Sequence, residues 1–196
     1  MISLARPVKC PICSEVGDRE NMIYVEKSKR YYHASKCIEA YNKTQEETAK
    51  ENEQWDLLNK YIVALHDLVL LPKVNIFRLK DLRAGFEVKN GKRVRKYRTG
   101  PDYELMLDAY KLADKSIKWN ITNTLKGNND VGAINYCMSI MMGSLNEAYV
   151  RRKRREKNEV QRIIDQGSNQ QYHYTDLKTI EYTKKETSND ISSFLD

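Results

Sequence analysis

Residues 10–37 of the chain read CPICSEVGDRENMIYVEKSKRYYHASKC, and this stretch decides how the amino-terminal part folds. It holds three of the four cysteines and one of the three histidines. Two residues separate Cys10 from Cys13, as in a tight turn that places both thiolates on one side of an ion. His33 and Cys37 are four positions apart, so both side chains point the same way on the first turn of a helix.

Zinc prefers four thiolate and imidazole ligands in a tetrahedron, and such a closed site leaves no position for water. The sequence therefore predicts one structural Zn²⁺ per chain, held by Cys10, Cys13, His33 and Cys37. About 40 residues cannot bury enough surface to fold alone, and a structural metal compensates for this. The alternative is that the cysteines are small buried residues or redox thiols, and that His33 is incidental.

The residues between the two ligand pairs are predicted to form two short strands, 21–26 and 30–33, and a helix is expected to start near Ala34. The amino terminus lacks the charged start and the apolar run of a secretory signal, so the expected location is the cytoplasm. A disulfide is disfavoured in that reducing compartment.

The composition of the whole chain is polar but sufficient for a modest core. The chain has 196 residues, of which 40% are hydrophobic and 31% are charged, and no apolar run is long enough to span a membrane. The formal net charge of +7 permits an anionic partner without naming one. We divide the chain into a zinc-finger module (1–42), a helical domain (43–165) and a polar tail (166–196) that is predicted to be loose.

Helical periodicity dominates the middle of the chain. A capping-box pattern at Thr44 precedes a long helix that Pro72 is expected to end. Asn75 is predicted to cap a short helix that Gly85 closes, a third helix runs from residue 102 to Gly127, and a last long helix starts near residue 130. The predicted apolar face of the first long helix consists of Trp55, Leu58, Ile62, Leu65 and Val69.

Positive charge is concentrated in two segments. Residues 73–98 hold ten cations against two acids, and residues 151–157 hold six cations against one acid. Residues 86–98 read as a hairpin, with Asn90 and Gly91 at a type I′ turn. Such a wing-like hairpin could follow a phosphate backbone while Tyr97 stacks on a base. The predicted nucleic-acid contacts are Lys89, Lys92, Arg93, Arg95, Lys96, Tyr97, Arg98, Arg151, Arg152, Arg154 and Arg155.

Two other interpretations of the basic hairpin stay open. Its charges could simply keep a solvated edge from pairing with other chains, and a basic run at the carboxyl end of a helix complements the helix dipole. The hairpin could also present a surface to an acidic protein.

Two resemblances extend these inferences. The order of turn, hairpin and helix start over residues 8–42 resembles a treble-clef zinc finger. Together with RTGPDYELMLDAY (98–110) and INYCMSIMMGSLNEAYVRRKRRE (134–156), it resembles small zinc-finger accessory proteins of phages and mobile elements of Gram-positive bacteria. This second resemblance implies an accessory protein in the host cytoplasm that regulates transcription or interferes with host machinery or defence. It transfers no catalytic residue.

The predicted fold class is mainly α with small β-hairpins: an amino-terminal treble-clef-like zinc finger plus a helical domain that contains one basic hairpin. The predicted function is non-enzymatic binding of DNA or RNA, because the four metal ligands leave no open position and no nucleotide-binding or hydrolase motif occurs. The alternative is a protein-binding inhibitor or adaptor that docks on a host protein, for example transcription or defence machinery. No membrane and no small-molecule substrate is expected.

Overall fold

The computed structural model describes the backbone of residues 7–182 except Asn90, and the side chains of residues 7–166 except Lys89 and Asn90. Within this part, the chain forms five α-helices and three antiparallel two-stranded sheets. The fold is therefore mainly helical with small hairpins, as the sequence predicts. The chain divides into two compact units, Met1–Leu145 and Asn146–Asp196.

The amino-terminal elements follow the predicted order of turn, hairpin and helix. The predicted strands and the helix start near Ala34 are confirmed to within two residues. A 3-10 turn, Arg19–Asn21, joins the two sheets. The elements are β1 (Val8–Lys9) paired with β2 (Val16–Gly17), β3 (Met22–Val25) paired with β4 (Arg30–His33), and the helix α1 (Lys36–Leu65).

The hydrophobic core of this amino-terminal part is small. Among residues 7–42, its buried members are Cys10, Met22 and Tyr32, and the ring of Tyr32 lies 4.6 Å from the ring of Tyr41 on α1. Three buried side chains contribute only a few kcal/mol by area burial, at about 1.5–3 kcal/mol each. The segment therefore depends on a further source of stability.

The helix α1 does not begin anew at Thr44, so the predicted capping box is wrong. The hydroxyl group of Thr44 donates to the carbonyl of Ala40 inside the helix, at 2.8 Å. Since Cys37 lies in the first turn of the same helix, one continuous helix carries both the last of the four predicted metal ligands and residues of the helical core. The predicted module boundary at residue 42 falls inside α1.

The carboxyl end of α1 also differs from the prediction. The helix ends at Leu65 rather than at Pro72, because Asp67 adopts a left-handed conformation with φ +51°. The amide of Leu68 then donates to the carbonyl of Val63 at 3.0 Å, as in a Schellman motif. The predicted apolar face is correct for the buried Leu58 and Ile62, whereas Val69 lies beyond the helix and is 92% exposed.

The helix α2 (Lys73–Arg83) begins after Pro72, and Asn75 is not its cap. Asn75 is fully buried, and its Nδ2 donates to Oδ1 of Asn135 at 3.1 Å and to the carbonyl of Val131 at 3.3 Å. A short polar side chain that the sequence assigns to a helix end thus holds two helices together. Gly85, with φ +84°, closes the helix as predicted.

The predicted basic hairpin is present. It consists of β5 (Phe86–Lys89) and β6 (Lys92–Arg95), with Val88 opposite Arg93. Gly91 has a φ of +74°, which a type I′ turn requires, while Asn90 lies outside the described residues.

The predicted helix from residue 102 to Gly127 is two helices, α3 (Tyr103–Leu112) and α4 (Asp114–Asn123). Asp102 caps α3 by accepting a hydrogen bond from the amide of Leu105 at 2.6 Å. At the junction, the hydroxyl group of Tyr61 donates to Asp114 at 2.7 Å and fixes the start of α4. That contact comes from α1, so periodicity alone does not reveal it.

The last helix, α5 (Asp130–Tyr182), contributes its first turns to the core. Its backbone is helical over residues 166–182, whereas residues 183–196 lie outside the described part of the chain, so the looseness of the tail stays a prediction. Burial raises the pKa of Cys137 to about 11, which makes this thiol a poor nucleophile. The fully buried side chains of the helical core include Leu58, Ile62, Leu79, Met106, Tyr110, Ile117, Ile134, Cys137, Met138 and Met141. None of the described helices is long and apolar enough to cross a membrane.

His66 at the end of α1 makes stability depend on pH. Burial lowers its pKa below the ordinary value of about 6.5, although Asp130 opposes the shift. As the pH falls below about 6.5, the unfolded chain binds a proton that folded His66 resists, so the free energy of unfolding is expected to fall by at most about 1.4 kcal/mol per pH unit. The measurement is chemical unfolding of wild type and of His66→Gln from pH 7.5 to 5.5, and equal pH profiles would contradict the prediction.

Candidate metal centre and basic surfaces

The four predicted metal ligands lie together. One ligand atom from each of Cys10, Cys13, His33 and Cys37 lies within 4.8 Å of the other three, and Sγ of Cys13 is 3.3 Å from Nδ1 of His33. Sulfurs bound to one tetrahedral zinc ion are about 3.8 Å apart, given Zn–S bonds of about 2.3 Å. The cluster therefore has the size and the donor atoms to hold one metal ion.

Each ligand is positioned by a short-range feature of the sequence. In the turn between β1 and β2, the amide of Ser14 donates to the carbonyl of Cys10 at 2.9 Å, and Ser14 has a φ of +64°. His33 is the last residue of β4, and Cys37 is the second residue of α1. The turn, the strand end and the helix start converge because β4 runs directly into α1.

Gly17 on β2 lies against the far side of the His33 ring. A Cβ atom at Gly17 would lie 3.0 Å from Nε2 of His33 and 3.1 Å from Sδ of Met22. The absence of a side chain at this position lets the ring direct Nδ1 towards the sulfurs.

The electrostatics of the cluster favour a bound cation. Burial raises the pKa of the Cys10 thiol, but hydrogen bonds from the backbone of Cys13, His33 and Ile12 outweigh it and bring the pKa to about 6. The pKa of Cys37 is raised to about 11 by burial and by the neighbouring sulfurs of Cys13 and Cys10. Three adjacent thiolates repel one another, and a divalent cation removes that repulsion.

The cations of the basic hairpin are exposed, but several have partners within the fold. Arg93 pairs with Asp81 at 2.7 Å, and its guanidinium lies 3.7 Å from the ring centroid of Phe86. Lys96 pairs with Glu87 at 2.9 Å, which raises the pKa of Lys96.

The remaining residues of the hairpin differ in their freedom. Arg95 donates to the carbonyls of Tyr97 and Arg98, at 3.4 and 3.1 Å. Among the residues that the structure describes, Lys92 and the side chain of Arg98 are exposed and have no ion pair, and Tyr97 is 54% exposed. The side chain of Lys89 lies outside the described residues.

The second basic segment lies on α5, in the unit Asn146–Asp196. Arg151 pairs with Glu147, and Lys153 pairs with Glu156 at 2.7 Å. Arg151, Arg154 and Arg155 are exposed, whereas Arg152 is half-buried. Successive positions on a helix point about 100° apart, so these cations surround the helix rather than forming one stripe.

Sequence reasoning missed an exposed apolar segment between α1 and α2. It consists of Val69 and Leu70 in the connection and continues with Val74 and Phe77 in α2, and these four side chains are 60–92% exposed. The sequence predicts Val69 on a buried helix face, and the other three residues carry no periodic signal. The end of α1 at Leu65 exposes Val69, whereas Val74 and Phe77 lie on the exposed face of α2.

The fold and the site define a small, mainly helical protein with a Cys3His cluster that could hold a metal ion and with a basic hairpin. The chain belongs to the family described as SPbeta prophage protein YorH, which matches residues 10–193. This membership confirms the predicted phage or mobile-element origin. Comparisons with curated proteins and with solved structures gave no match.

Proposed function

We propose that this phage accessory protein is a non-enzymatic nucleic-acid-binding protein in which a structural zinc ion orders the amino-terminal part. The zinc assignment is supported by the four soft ligand atoms, since structural zinc sites use thiolate and imidazole and retain no bound water. Such thiolate ligands persist in a reducing cytoplasm, which is the location we propose.

The exposed hairpin is the observation that carries the binding proposal. Residues 73–98 contain ten cations and only Asp81 and Glu87 as acids, and each acid pairs with one hairpin cation. The Arg93–Asp81 pair fixes the hairpin against α2, the Lys96–Glu87 pair lies within the hairpin segment, and residues 73–98 keep a net charge of +8. Contacts of cations with phosphate dominate sequence-independent binding to nucleic acid, and we propose that Lys92 and Arg98 make them.

The test reverses Lys92 and Arg98, which have no ion pair among the hairpin side chains that the structure describes. Lys92→Glu with Arg98→Glu is expected to weaken binding of a labelled mixed-sequence oligonucleotide by about tenfold or more. It should also reduce the slope of log affinity against log salt concentration by the amount that corresponds to about two phosphate contacts on a duplex. The affinity is measured by fluorescence anisotropy between about 50 and 200 mM salt. The matched control, Lys115→Glu with Lys126→Glu, reverses two exposed lysines elsewhere.

Equal loss of affinity in both pairs would show that only net charge matters and would contradict a hairpin site. Unchanged binding by the hairpin variant would do so as well. If no oligonucleotide binds at all, the exposed segment of Val69, Leu70, Val74 and Phe77 favours the second candidate function, docking on a host protein. A partner that survives nuclease treatment and is lost in Val69→Ser with Phe77→Ser would identify that function.

A further inference from the structure

A cavity of about 420 Å³ lies beside the metal cluster, between the turn that carries Cys10 and the hairpin of β3 and β4. Its volume is within the range of small-molecule sites, about 300–1,000 Å³. One wall includes Cys10 and Ser14, and the charged and aromatic lining comes from Lys9, Arg19, Lys29, Arg30 and Tyr31.

The distribution of charge around this cavity is strongly one-sided. Residues 7–42 contain six cations and five acids, which nearly cancel. Four of the six cations line the cavity, and none of the five acids does. Sequence reasoning missed this site because the four cations are spread over residues 9–30 with acids between them, and only the turn and the hairpin bring them together.

An aromatic surface accompanies the cations. The guanidinium of Arg19 lies 5.3 Å from the ring centroid of Tyr31, and the ring of Tyr24 lies 4.9 Å from Tyr31. Tyr24 is half-exposed. Aromatic rings and guanidinium planes are the surfaces on which unpaired bases stack.

The negative charge of a zinc-loaded metal centre next to the cavity would disfavour binding of an anion. Three thiolates and one Zn²⁺ leave a net charge of −1, and Cys10 belongs to both sites. Four cations exceed what that charge requires, so the cavity retains positive charge for a ligand.

We infer that this cavity binds a phosphate and the adjoining base of a single-stranded nucleic acid, an inference that rests on the proposed function for the class of ligand. A base in a duplex is already paired and stacked, and extracting it costs a few kcal/mol, so a pocket with its own stacking surface selects an unpaired nucleotide. The hairpin supplies contacts to the backbone, and the cavity supplies the preference for a single strand.

The experiment removes two cavity cations and compares them with two cations on the same module that do not line it. Lys9→Gln with Arg30→Gln is expected to weaken binding of a labelled single-stranded oligonucleotide on the order of tenfold and to reduce its salt slope by about 1.4. Binding of the matching duplex should stay within about twofold. The control, Lys27→Gln with Lys36→Gln, removes the same charge and should leave single-strand binding within about twofold.

Tyr31 provides an independent readout that leaves the charge unchanged. Tyr31→Leu is expected to weaken single-strand binding by about fivefold or more through loss of the stacking surface, whereas Tyr31→Phe keeps the ring and should bind like wild type. Equal affinities of all four variants for the single strand would overturn the inference. Equal loss for single strand and duplex would overturn it too.

Metal content separates this inference from the alternative that the cations only neutralise the thiolates. Each variant is assayed for zinc, and a cation pair that loses zinc is replaced by Arg19→Gln with Lys29→Gln. Loss of zinc in both pairs would overturn the inference. Failure of the hairpin proposal is distinguishable, because Lys92→Glu with Arg98→Glu would then bind normally whatever the cavity variants show.

Discussion

Replacing Cys37 with serine is expected to abolish metal binding and to unfold the amino-terminal part of the chain. Cys37 is one of the four proposed ligands, and within the described residues the core beside it buries Cys10, Met22 and Tyr32. Zinc binding in small fingers contributes about 10–16 kcal/mol of apparent free energy, which exceeds the stability that such a core supplies. Elemental analysis should show a fall from about one zinc per chain to nearly none.

Hydrogen exchange shows which segments unfold in Cys37→Ser. Amide protection of β3 and β4 should be lost, while protection in α3 should persist because Met106 and Tyr110 are buried in the helical core and are not among the four proposed ligands. The control is Cys137→Ser, which alters a buried cysteine of the helical core and should retain the metal. Full zinc content in Cys37→Ser, or none in a folded wild type, would refute the metal centre.

Replacing Gly100 with alanine is expected to cost about 3 kcal/mol or more of unfolding free energy, as overpacking against fixed backbone does. A Cβ atom at Gly100 would lie 1.7 Å from the carbonyl oxygen of Leu82, which is a severe steric clash. The amide of Gly100 also donates to the carbonyl of Arg83 at 3.0 Å, so the chain after the hairpin is bonded to the end of α2. The alanine side chain must therefore push the chain after the hairpin away from the end of α2.

Gly143 on α5 is the matched control for this substitution. A Cβ atom at Gly143 would meet nothing within 4 Å, so Gly143→Ala should raise the unfolding free energy by about 0.5–1 kcal/mol through helix propensity alone. Urea unfolding of both variants provides the measurement. If Gly100→Ala is as stable as wild type, the close packing of Leu82 against Gly100 is incorrect.

Much of the fold is readable from local signals in the sequence. The spacing of Cys10, Cys13, His33 and Cys37 is specific because few arrangements of small modules need four soft ligands. Glycine at position 91 marks the hairpin, and Asp102 marks a helix start, because each acts on its own backbone. Such short-range effects do not depend on the rest of the fold.

Several of the errors arise because structure outside the local motif decides the outcome, and for Asn75 and Arg93 the deciding structure is a tertiary contact. Thr44 resembles a helix cap, but α1 already extends through it from Lys36. Asn75 resembles a cap as well, and its partner Asn135 is 60 positions away. Pairing of Arg93 with Asp81 and convergence of the cavity cations likewise need the folded chain. A side chain's local preference cannot show which distant group reaches it.

The uninterrupted α1 has a mechanical consequence. Thirty helical residues extend about 45 Å, with Cys37 near one end and Ile62 near the other, and positions 46–50 between them are exposed. Inserting one residue there would rotate the metal-binding end by about 100° about the helix axis relative to the carboxyl end. Inserting seven residues would return it to within about 20° of its original orientation. The number of residues in α1 thus sets the orientation of the metal-binding end about the helix axis.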